Sequence, residues 1–335
     1  MVTSSDLIHL TYSPDLTEGG IAYAVRSLPY TYNRMGGTPF ERLRRIVAGV
    51  AVELALRRYL FAQGIRFDVK GATPFTDPDR YDVSLGGRRC DLKSFLVSRR
   101  SQISEMRRDP AIVLKAPALV PLDQHASNGH AEHDLYVFAF LQGLVTASHS
   151  ALEQALRAGQ PAYLLHTLPE DWVRPRIWRP LRPLALKSEA EETLRVELAG
   201  QDQEREFLTR RVDLPPRTRV EIADPFFSVS SIHVDRLPRA RLGLHSGGLE
   251  KTYVAEPGDW GNIWVYGLEI LLAGYMSRRE FAEKASLIQP GSRVFQYQRT
   301  RARNLAVPVA DLRPLGSLVE QVRAWEAARA AGSGT

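Results

Sequence analysis

Two short runs of alternating apolar and polar residues flank a Gly-Gly pair in the stretch Tyr81-Asp82-Val83-Ser84-Leu85-Gly86-Gly87-Arg88-Arg89-Cys90-Asp91-Leu92-Lys93. Paired glycines between such runs are a strong signal for the tight turn of a β-hairpin. Asp82 and Asp91 then lie on adjacent strands, and Asp91 and Lys93 point to the same face because they are two residues apart on one strand. The stretch therefore predicts a hairpin that brings two carboxylates and one amine together.

A helix is predicted upstream of this hairpin. Thr38 as N-cap, Pro39 at the first helical position and Glu41 three residues after Thr38 form a capping box. Apolar residues then keep helical spacing up to Leu54, and Gly64 is a natural stop.

Glu53 interrupts the apolar part of that helix. It lies at the edge of the predicted buried stripe, where a carboxylate is costly unless it is paired or bound to a metal ion. Arg57, four residues further on, offers an ordinary ion-pair partner. The sequence leaves both interpretations of Glu53 open.

Helices and strands alternate through this part of the chain. A short strand at 65–69 precedes the hairpin, a basic helix or loop follows at 99–110, and a buried central strand is expected at 134–141. A helix at 150–158 and a strand at 162–166 complete the predicted α/β core.

The remainder of the chain predicts a second region. Residues 169–184 alternate prolines with Trp172 and Trp178, which is typical of a linker. Residues 185–256 form short alternating segments that predict mainly β-structure. Helices are then predicted at 264–275, 277–288 and 315–331. The predicted domains are residues 1–168 as the core with an N-terminal arm, 169–184 as the linker, and 185–335 as a β-rich, then helical region for target recognition, sensing or assembly.

The composition is that of a globular protein, and the net charge favours acidic partners. Of the 335 residues, 44% are hydrophobic and 24% are charged, and the net charge of +6 favours nucleic acid as a partner. Only six of the 44 basic residues are lysine. A GC-rich genome also produces such a bias toward arginine. Because lysines are so few, the position of each one, Lys93 included, is of interest.

A cytoplasmic location is expected. Cys90 is the only cysteine, so an internal disulfide and a Cys-rich metal site are excluded. The first residues lack the basic start and apolar core of a signal peptide. No apolar run approaches the roughly 20 residues that a membrane span requires.

The hairpin residues indicate phosphodiester chemistry. A pair of carboxylates binds a hard divalent cation such as Mg²⁺, which prefers oxygen ligands. The cation lowers the pKa of a bound water and neutralises the scissile phosphate. Asp82, Asp91 and Lys93 are thus a minimal set for phosphodiester hydrolysis, because a nearby ammonium can position the water and stabilise negative charge.

The order of these residues resembles that of the PD-(D/E)XK nuclease superfamily, the fold of many restriction endonucleases. The resemblance covers roughly residues 38–166. It matches Asp82 to the first strand carboxylate, Asp91 and Lys93 to the (D/E)XK motif, and Glu53 to the acidic residue of the first helix. It implies a mixed sheet flanked by helices, and Mg²⁺, for which Mn²⁺ can substitute, held by Glu53, Asp82 and Asp91. It also implies hydrolysis of DNA or, less often, RNA.

The motif has a rival in the same chain. Asp68-Val69-Lys70 is a second Asp-X-Lys, but it lacks a clear strand carboxylate upstream, so we place the site at Asp91 and Lys93. The alternatives are a surface hairpin with charged residues on its solvent face, or another kind of metal hydrolase.

Arginines near such a centre are expected to contact the phosphate backbone. Residues 88–108 are strongly basic. Residues 293–303 combine four arginines with aromatic and amide side chains, a mixture that can follow phosphates and stack bases, or contact another protein. The predicted nucleic-acid contacts are Arg88, Arg99, Arg100, Arg299, Arg301 and Arg303, the last three on one face of one strand.

Three histidines, His125, His130 and His133, cluster before the central strand. They could hold a zinc ion, although no Cys or Glu motif completes such a site. A solvated loop and a DNA-contacting element are the alternatives.

The leading functional hypothesis is a Mg²⁺-dependent DNA endonuclease of restriction or antiviral defence, acting as a homodimer or with partner proteins of the defence system and without a membrane. A repair or recombination nuclease is the second hypothesis. It would need a motor partner, because the chain has no phosphate-binding Gly-Lys-Ser/Thr loop. The third is a scaffold of nuclease fold that binds nucleic acid without cutting it.

Overall fold

The computed structural model describes residues 1–31, 39–69, 82–126, 131–144, 149–159, 164–262 and 266–332. Its strands are β1 (Ile8–Thr11), β2 (Val83–Leu85), β3 (Arg88–Val97), β4 (Pro117–Pro121), β5 (Leu135–Leu144), β6 (Leu164–Thr167), β7 (Leu184–Ser188), β8 (Leu194–Gln201), β9 (Phe207–Leu214), β10 (Arg219–Ile222), β11 (Ser228–Val234), β12 (Leu242–Ser246), β13 (Lys251–Ala255), β14 (Gly261–Asn262), β15 (Tyr266–Ser277), β16 (Ser286–Ile288) and β17 (Asn304–Pro308). Its α-helices are α1 (Pro14–Thr31), α2 (Pro39–Ala62), α3 (Arg100–Arg108), α4 (Leu122–Ala126), α5 (His149–Arg157), α6 (Glu170–Val173), α7 (Arg278–Lys284) and α8 (Leu315–Gly332). Short 3-10 helices lie at Ser4–Asp6, Pro110–Lys115, Pro257–Asp259 and Val309–Asp311.

The chain forms two compact units. Unit 1 consists of Met1–Leu16, Ala48–Leu144 and Gly267–Thr335, and unit 2 consists of Thr17–Val47 and Val145–Tyr266. These units differ from the predicted domains, which placed everything after residue 184 in one C-terminal region. One reason is that the chain returns to unit 1 through β15, which the sequence interpretation took for a helix. A second is that residues 17–47 and 145–168, predicted as part of the core, belong to unit 2.

Unit 1 contains a mixed five-stranded sheet in the order β1-β15-β5-β3-β2. The pair β3 and β5 is parallel, with Asp91 opposite Tyr136 and Lys93 opposite Phe138, whereas β2 and β3 are antiparallel. Parallel neighbours need a long crossover, and here it contains α3, β4 and α4. The predicted mixed α/β class is therefore confirmed. The predicted central strand is also confirmed, since β5 is buried from Leu135 to Leu141.

The predicted hairpin is confirmed in its turn and in its pairing. Gly86 and Gly87 both have positive φ, 54° and 83°, as the two-residue turn requires. Val83 pairs with Cys90 across the hairpin. The strand predicted at 65–69 is present only as an isolated bridge between Asp68 and Ser84.

The predicted helix at 264–275 is wrong, because β15 occupies this part of the chain. β15 lies between β1 and β5, and its residues from Ile270 to Met276 are buried. A strand buried on both faces appears in the sequence as a continuous apolar run, and periodicity does not separate such a run from a buried helix. Residue Trp264, where that helix was expected to start, lies outside the described residues.

The other helix predictions agree with the structure except at the end of 277–288, where the helix stops at Lys284 and β16 (Ser286–Ile288) follows. α2 begins at Pro39, although its predicted N-cap Thr38 lies outside the described residues, and it ends before Gly64. The segment at 99–110, predicted as helix or loop, contains α3. The predicted capping box of Ser277 and Glu280 begins α7, and α8 begins at the predicted Leu315.

Unit 2 contains two antiparallel sheets, in the orders β10-β7-β12-β13 and β14-β6-β11-β8-β9. The predicted β-structure of residues 185–256 is thereby confirmed. Of the strand predicted at 162–166, residues 162 and 163 lie outside the described residues and the rest belongs to β6. β6 pairs with β11 and β14 and does not join the sheet of unit 1. The predicted helix at 150–158 is α5.

Residues 169–184 lie within unit 2 and do not connect the two units, contrary to the predicted linker. Trp172 is buried, and Trp178 packs on Phe227 with ring centroids 5.5 Å apart. The backbone N–H of Leu181 donates to the carbonyl of Phe226 at 2.8 Å. The prolines therefore mark an irregular segment that packs on the sheets. Among the residues described, no helix is both long and apolar enough to cross a bilayer.

We predict that Gly86→Ala destabilises the fold more than Gly64→Ala does. Both glycines have positive φ, 54° and 67°, so both changes introduce left-handed strain of about 1–2 kcal/mol. A Cβ at Gly86 would also lie 3.0 Å from Cε3 of Trp325, whereas a Cβ at Gly64 would meet nothing within 4 Å. Chemical denaturation should show the larger loss of unfolding free energy for Gly86→Ala. Equal losses would mean that Trp325 does not constrain the turn.

Candidate active site

The hairpin holds Asp82 against the strand that carries Asp91 and Lys93. Asp82 directly precedes β2, and its Oδ2 accepts a hydrogen bond of 2.6 Å from the backbone N–H of Leu92. The N–H of Asp82 donates to the carbonyl of Cys90 at 3.1 Å. The two predicted strand carboxylates are therefore brought together by the backbone of the Asp91-Leu92-Lys93 motif itself.

Lys93 is held on two sides. Its Nζ lies 2.6 Å from Oδ2 of Asp91 and donates to Oε1 of Gln124 at 2.8 Å. The side chains of Lys93 and Asp91 are only 14% and 25% exposed, so this ion pair is partly shielded from water. Gln124 lies on α4, immediately after β4, and the sequence interpretation did not single it out. A lone polar residue in a short helix gives no sequence signal for such a contact.

Glu53 pairs with Arg57 on the same face of α2, as its ordinary interpretation predicted. Arg57 also reaches the backbone carbonyl of Asp82, at 3.4 Å. Arg57 therefore connects the helix carboxylate to the hairpin.

The three carboxylates share one electrostatic environment. The pKa of Asp82 is raised from 3.8 to about 7, first by burial and then by the negative charges of Asp91 and Glu53. The hydrogen bond from Leu92 and the charge of Lys93 oppose this rise. Asp82 thus lies where additional positive charge would be favourable.

The predicted three-carboxylate metal set is not assembled in this structure. Within the described ranges, no group of three or more His, Cys, Asp or Glu side chains is arranged to hold a metal ion. Glu53 is engaged by Arg57, and Asp91 is engaged by Lys93. The donor chemistry nevertheless suits a hard cation, because carboxylate oxygens are the ligands that Mg²⁺ prefers and Asp82 carries a destabilised negative charge.

His125 belongs to a hydrogen-bond network. Its Nδ1 lies 3.0 Å from the hydroxyl of Tyr136, to which Arg278 donates at 2.8 Å. Because an arginine only donates, the Tyr136 hydroxyl can give its own proton to Nδ1, which places the ring proton of His125 on Nε2. His133 is exposed, and His130 lies outside the described residues. Sequence reasoning missed Tyr136, the direct neighbour of Asp91 on β5.

The basic residues predicted at 88–108 form local contacts in unit 1. The guanidinium of Arg88 lies over the Trp325 ring, 3.9 Å from its centroid. Arg99 donates to Oε1 of Gln102 at 2.7 Å and to the carbonyl of Phe295 at 3.0 Å. Arg100 is exposed on α3. Arg100 is therefore more accessible to a ligand than Arg99, which has a structural role.

The arginines of 293–303 do not share one strand, contrary to the prediction. This segment is irregular and precedes β17, so the strict alternation of a strand does not apply. Arg299, Arg301 and Arg303 are all exposed. The segment is anchored by the buried Gln296, whose side-chain amide donates to the backbone carbonyl of Pro117 on β4 at 2.6 Å.

Comparisons of this chain with protein-family models, with curated proteins and with solved structures find no match. What the site can do therefore has to be derived from its own side chains.

We predict that ionisation of Asp82 makes the fold less stable as the pH rises from about 4 to about 7. The folded pKa lies above the unfolded one, so the folded state keeps a proton that the unfolded state has lost in this range. Asp82→Asn cannot ionise, and its amide oxygen can still accept from Leu92. In EDTA, the unfolding free energy of the wild type should fall relative to that of Asp82→Asn as the pH rises. The expected fall is on the order of 1 kcal/mol for each unit by which the folded pKa of Asp82 exceeds the unfolded pKa.

The measurement is denaturant unfolding at several pH values in that range. Asp68→Asn is the matched control, because Asp68 is exposed and pairs with Ser84 through its backbone. Parallel pH profiles for the wild type and Asp82→Asn would show that burial does not raise this pKa.

Proposed function

We propose that this protein is a Mg²⁺-dependent nuclease that hydrolyses phosphodiester bonds of DNA, in restriction or antiviral defence. The observation that carries the proposal is the contact of Asp82 with the backbone of Leu92, between Asp91 and Lys93. It places two carboxylates and an ammonium at one point of the sheet. The negative charges of Asp91 and Glu53 disfavour the ionised form of Asp82, so a cation bound there would be favourable.

The order of elements supports the same proposal. α2 with Glu53 is followed by the hairpin, by α3 and by β5 parallel to β3. This succession agrees with the restriction-endonuclease-like core that the resemblance implies. The helix 150–158 and the strand 162–166 are no part of that support, since both lie in unit 2.

In the proposed mechanism, Asp82 and Asp91 would hold the cation. Mg²⁺, when bound, would lower the pKa of a water and neutralise the scissile phosphate. Asp91 would exchange its contact with Lys93 for the cation, and Gln124 would keep the released ammonium in place. Lys93 then donates to the attacking water or to a phosphate oxygen. Glu53 joins as a ligand only if Arg57 leaves it.

The surrounding arginines would bind the phosphate backbone. Arg100, Arg299, Arg301 and Arg303 are exposed and suited to this role. Arg88 lies over the Trp325 ring, and Arg99 holds a backbone carbonyl. We therefore assign the predicted contacts to the four exposed arginines first.

A scaffold that binds nucleic acid without cutting it is the second candidate. One observation favours it: Glu53 and Asp91 are already neutralised by Arg57 and Lys93. If these ion pairs never open, the carboxylates do not reach a cation. Metal binding and cleavage therefore have to be measured separately.

We predict that the purified protein cleaves DNA in Mg²⁺ or Mn²⁺, and that Asp91→Ala and Lys93→Ala each lower the rate by about 100-fold or more. Asp91→Ala removes a ligand of the cation, and Lys93→Ala removes a positive charge that stabilises the transition state. A screen over single- and double-stranded DNA and RNA gives the preferred substrate. Asp68→Asn, in the rival Asp-X-Lys, should retain the wild-type rate. Cleavage that survives both Asp91→Ala and Lys93→Ala contradicts the assignment.

We also predict that Mg²⁺ binds independently of any nucleic acid. A ligand that binds only the folded state stabilises it by about 2.7 kcal/mol at 100 times its Kd. The Tm of the wild type should therefore rise with Mg²⁺ concentration, and the Tm of Asp91→Asn should not. Asp68→Asn again serves as the control. A Tm that is independent of Mg²⁺ and Mn²⁺ favours the scaffold.

A further inference from the structure

The outer face of the sheet β10-β7-β12-β13 in unit 2 contains a hollow of about 280 Å³. Its floor is formed by Ala185 on β7 and Gly243 on the adjacent strand β12, which carry little or no side chain. The opposite face of β12 is buried through Leu242 and Leu244. The hollow therefore opens on the solvent side of the sheet.

One row of residues runs across all four strands at this hollow. The register places Arg219 opposite Lys187, Lys187 opposite Gly243, and Gly243 opposite Val254. Arg219, Lys187 and Val254 are exposed. The row thus has two cations at one end, a gap in the middle, and an apolar side chain at the other end.

The two cations of this row repel each other. Like charges directly opposite on adjacent strands destabilise a sheet. Among the described residues neither Arg219 nor Lys187 forms a direct ion pair or hydrogen bond, although the charge of Lys187 helps to lower the pKa of Glu189, which also lines the hollow. Nearby Arg241 does have one, since it binds Glu189 through two nitrogens at 2.7 and 2.8 Å. An anion bound between Arg219 and Lys187 would relieve the repulsion.

Gly243 is not required by the backbone or by packing. A Cβ at this position would have only ordinary contacts, 3.8 Å from the carbonyl oxygen of Lys187 and 4.0 Å from that of Tyr253. Its φ is not among the positive values that favour glycine. A glycine inside a strand costs stability and often marks a close approach by a ligand. Its absent side chain keeps the hollow open.

We propose that this hollow binds a nucleoside phosphate, either free or as a unit of a nucleic-acid strand. The phosphate binds between Arg219 and Lys187, where charge-assisted hydrogen bonds are available. The base lies flat over Gly243 and Ala185, against Val254. The volume is near the lower end of the range for small-molecule pockets, which suits one nucleotide.

The polar side of the hollow can contact the edge of the base. His245 lies two residues after Gly243 on the same face, with its Nδ1 3.0 Å from Oγ1 of Thr252. The hydroxyl of Thr252 can donate or accept, and so can the imidazole. Unit 2 would then recognise a nucleotide whether or not the site in unit 1 cleaves, so the proposal does not depend on the nuclease activity.

The test is calorimetric titration of the full-length protein in EDTA, with inorganic phosphate, dAMP and a short single-stranded oligodeoxyadenylate as probes. Gly243→Gln fills the hollow without adding charge, and Lys187→Gln with Arg219→Gln removes the cations. Both variants should weaken the binding of dAMP or of the oligonucleotide by about tenfold or more. The first does so because its side chain occupies the place of the base, and the second because hydrogen bonds to a charged group are lost. Arg174→Gln with Arg176→Gln removes the same two charges at exposed positions of unit 2 outside the hollow, and should leave the affinity unchanged.

The probes distinguish the two sources of the nucleotide. Equal affinity for dAMP and for the oligonucleotide supports a free nucleotide, and a tighter, salt-dependent affinity for the oligonucleotide supports a strand. The proposal is overturned if neither probe binds more tightly than inorganic phosphate. It is also overturned if the hollow variants, with their thermal unfolding unchanged, bind as the wild type does. Because all titrations omit divalent cations, failure of the nuclease proposal does not affect the result.

Discussion

The hydrogen bond from the backbone of Leu92 to the carboxylate of Asp82 is the constraint on which the candidate site depends. A buried carboxylate is costly unless it is hydrogen-bonded, and one amide only partly offsets the burial and the two neighbouring negative charges, since the pKa of Asp82 still rises. The bond can form because the Gly86-Gly87 turn fixes the register of the hairpin. Leu92 separates Asp91 from Lys93, so the same bond also fixes the backbone between those two side chains.

The face of β3 that carries the site changes in character along the strand. Asp91 and Lys93 are followed on that face by Phe95, which is buried and packs on Phe140 at 5.2 Å between ring centroids. Burial of such aromatic rings is a major source of stability. The apolar end therefore anchors the strand, and the polar end carries the candidate site. α4 lies at the junction and contributes Gln124 to the polar end. The position of Lys93 is therefore supported by a core that begins two residues away.

The sequence predicts the elements whose signal is local and misses those that depend on the rest of the fold. Gly86-Gly87 and the Ser277 capping box specify their turns and caps by themselves, and both are present. β15 has no such local signal, because a strand buried between two neighbours lacks alternation. That misassignment also hid the return of the chain to unit 1 after residue 266. In the site, Asp82, Asp91 and Lys93 follow from hairpin geometry, whereas Gln124 comes from a helix 31 residues along the chain and could only be found by folding it.

The scarcity of lysine acquires a physical meaning at two positions. At position 93, the ammonium forms short contacts with an oxygen of Asp91 and an oxygen of Gln124 while it is mostly buried. A compact ammonium fits between two such acceptors, whereas a planar guanidinium presents a fixed fork of donors and needs more room. At position 187, the ammonium faces an open hollow beside Arg219, where a flexible point charge can follow a phosphate. A general bias toward arginine accounts for the composition of the chain, whereas the narrow space at position 93 and, in the proposed nucleotide site, the open hollow at position 187 favour an ammonium.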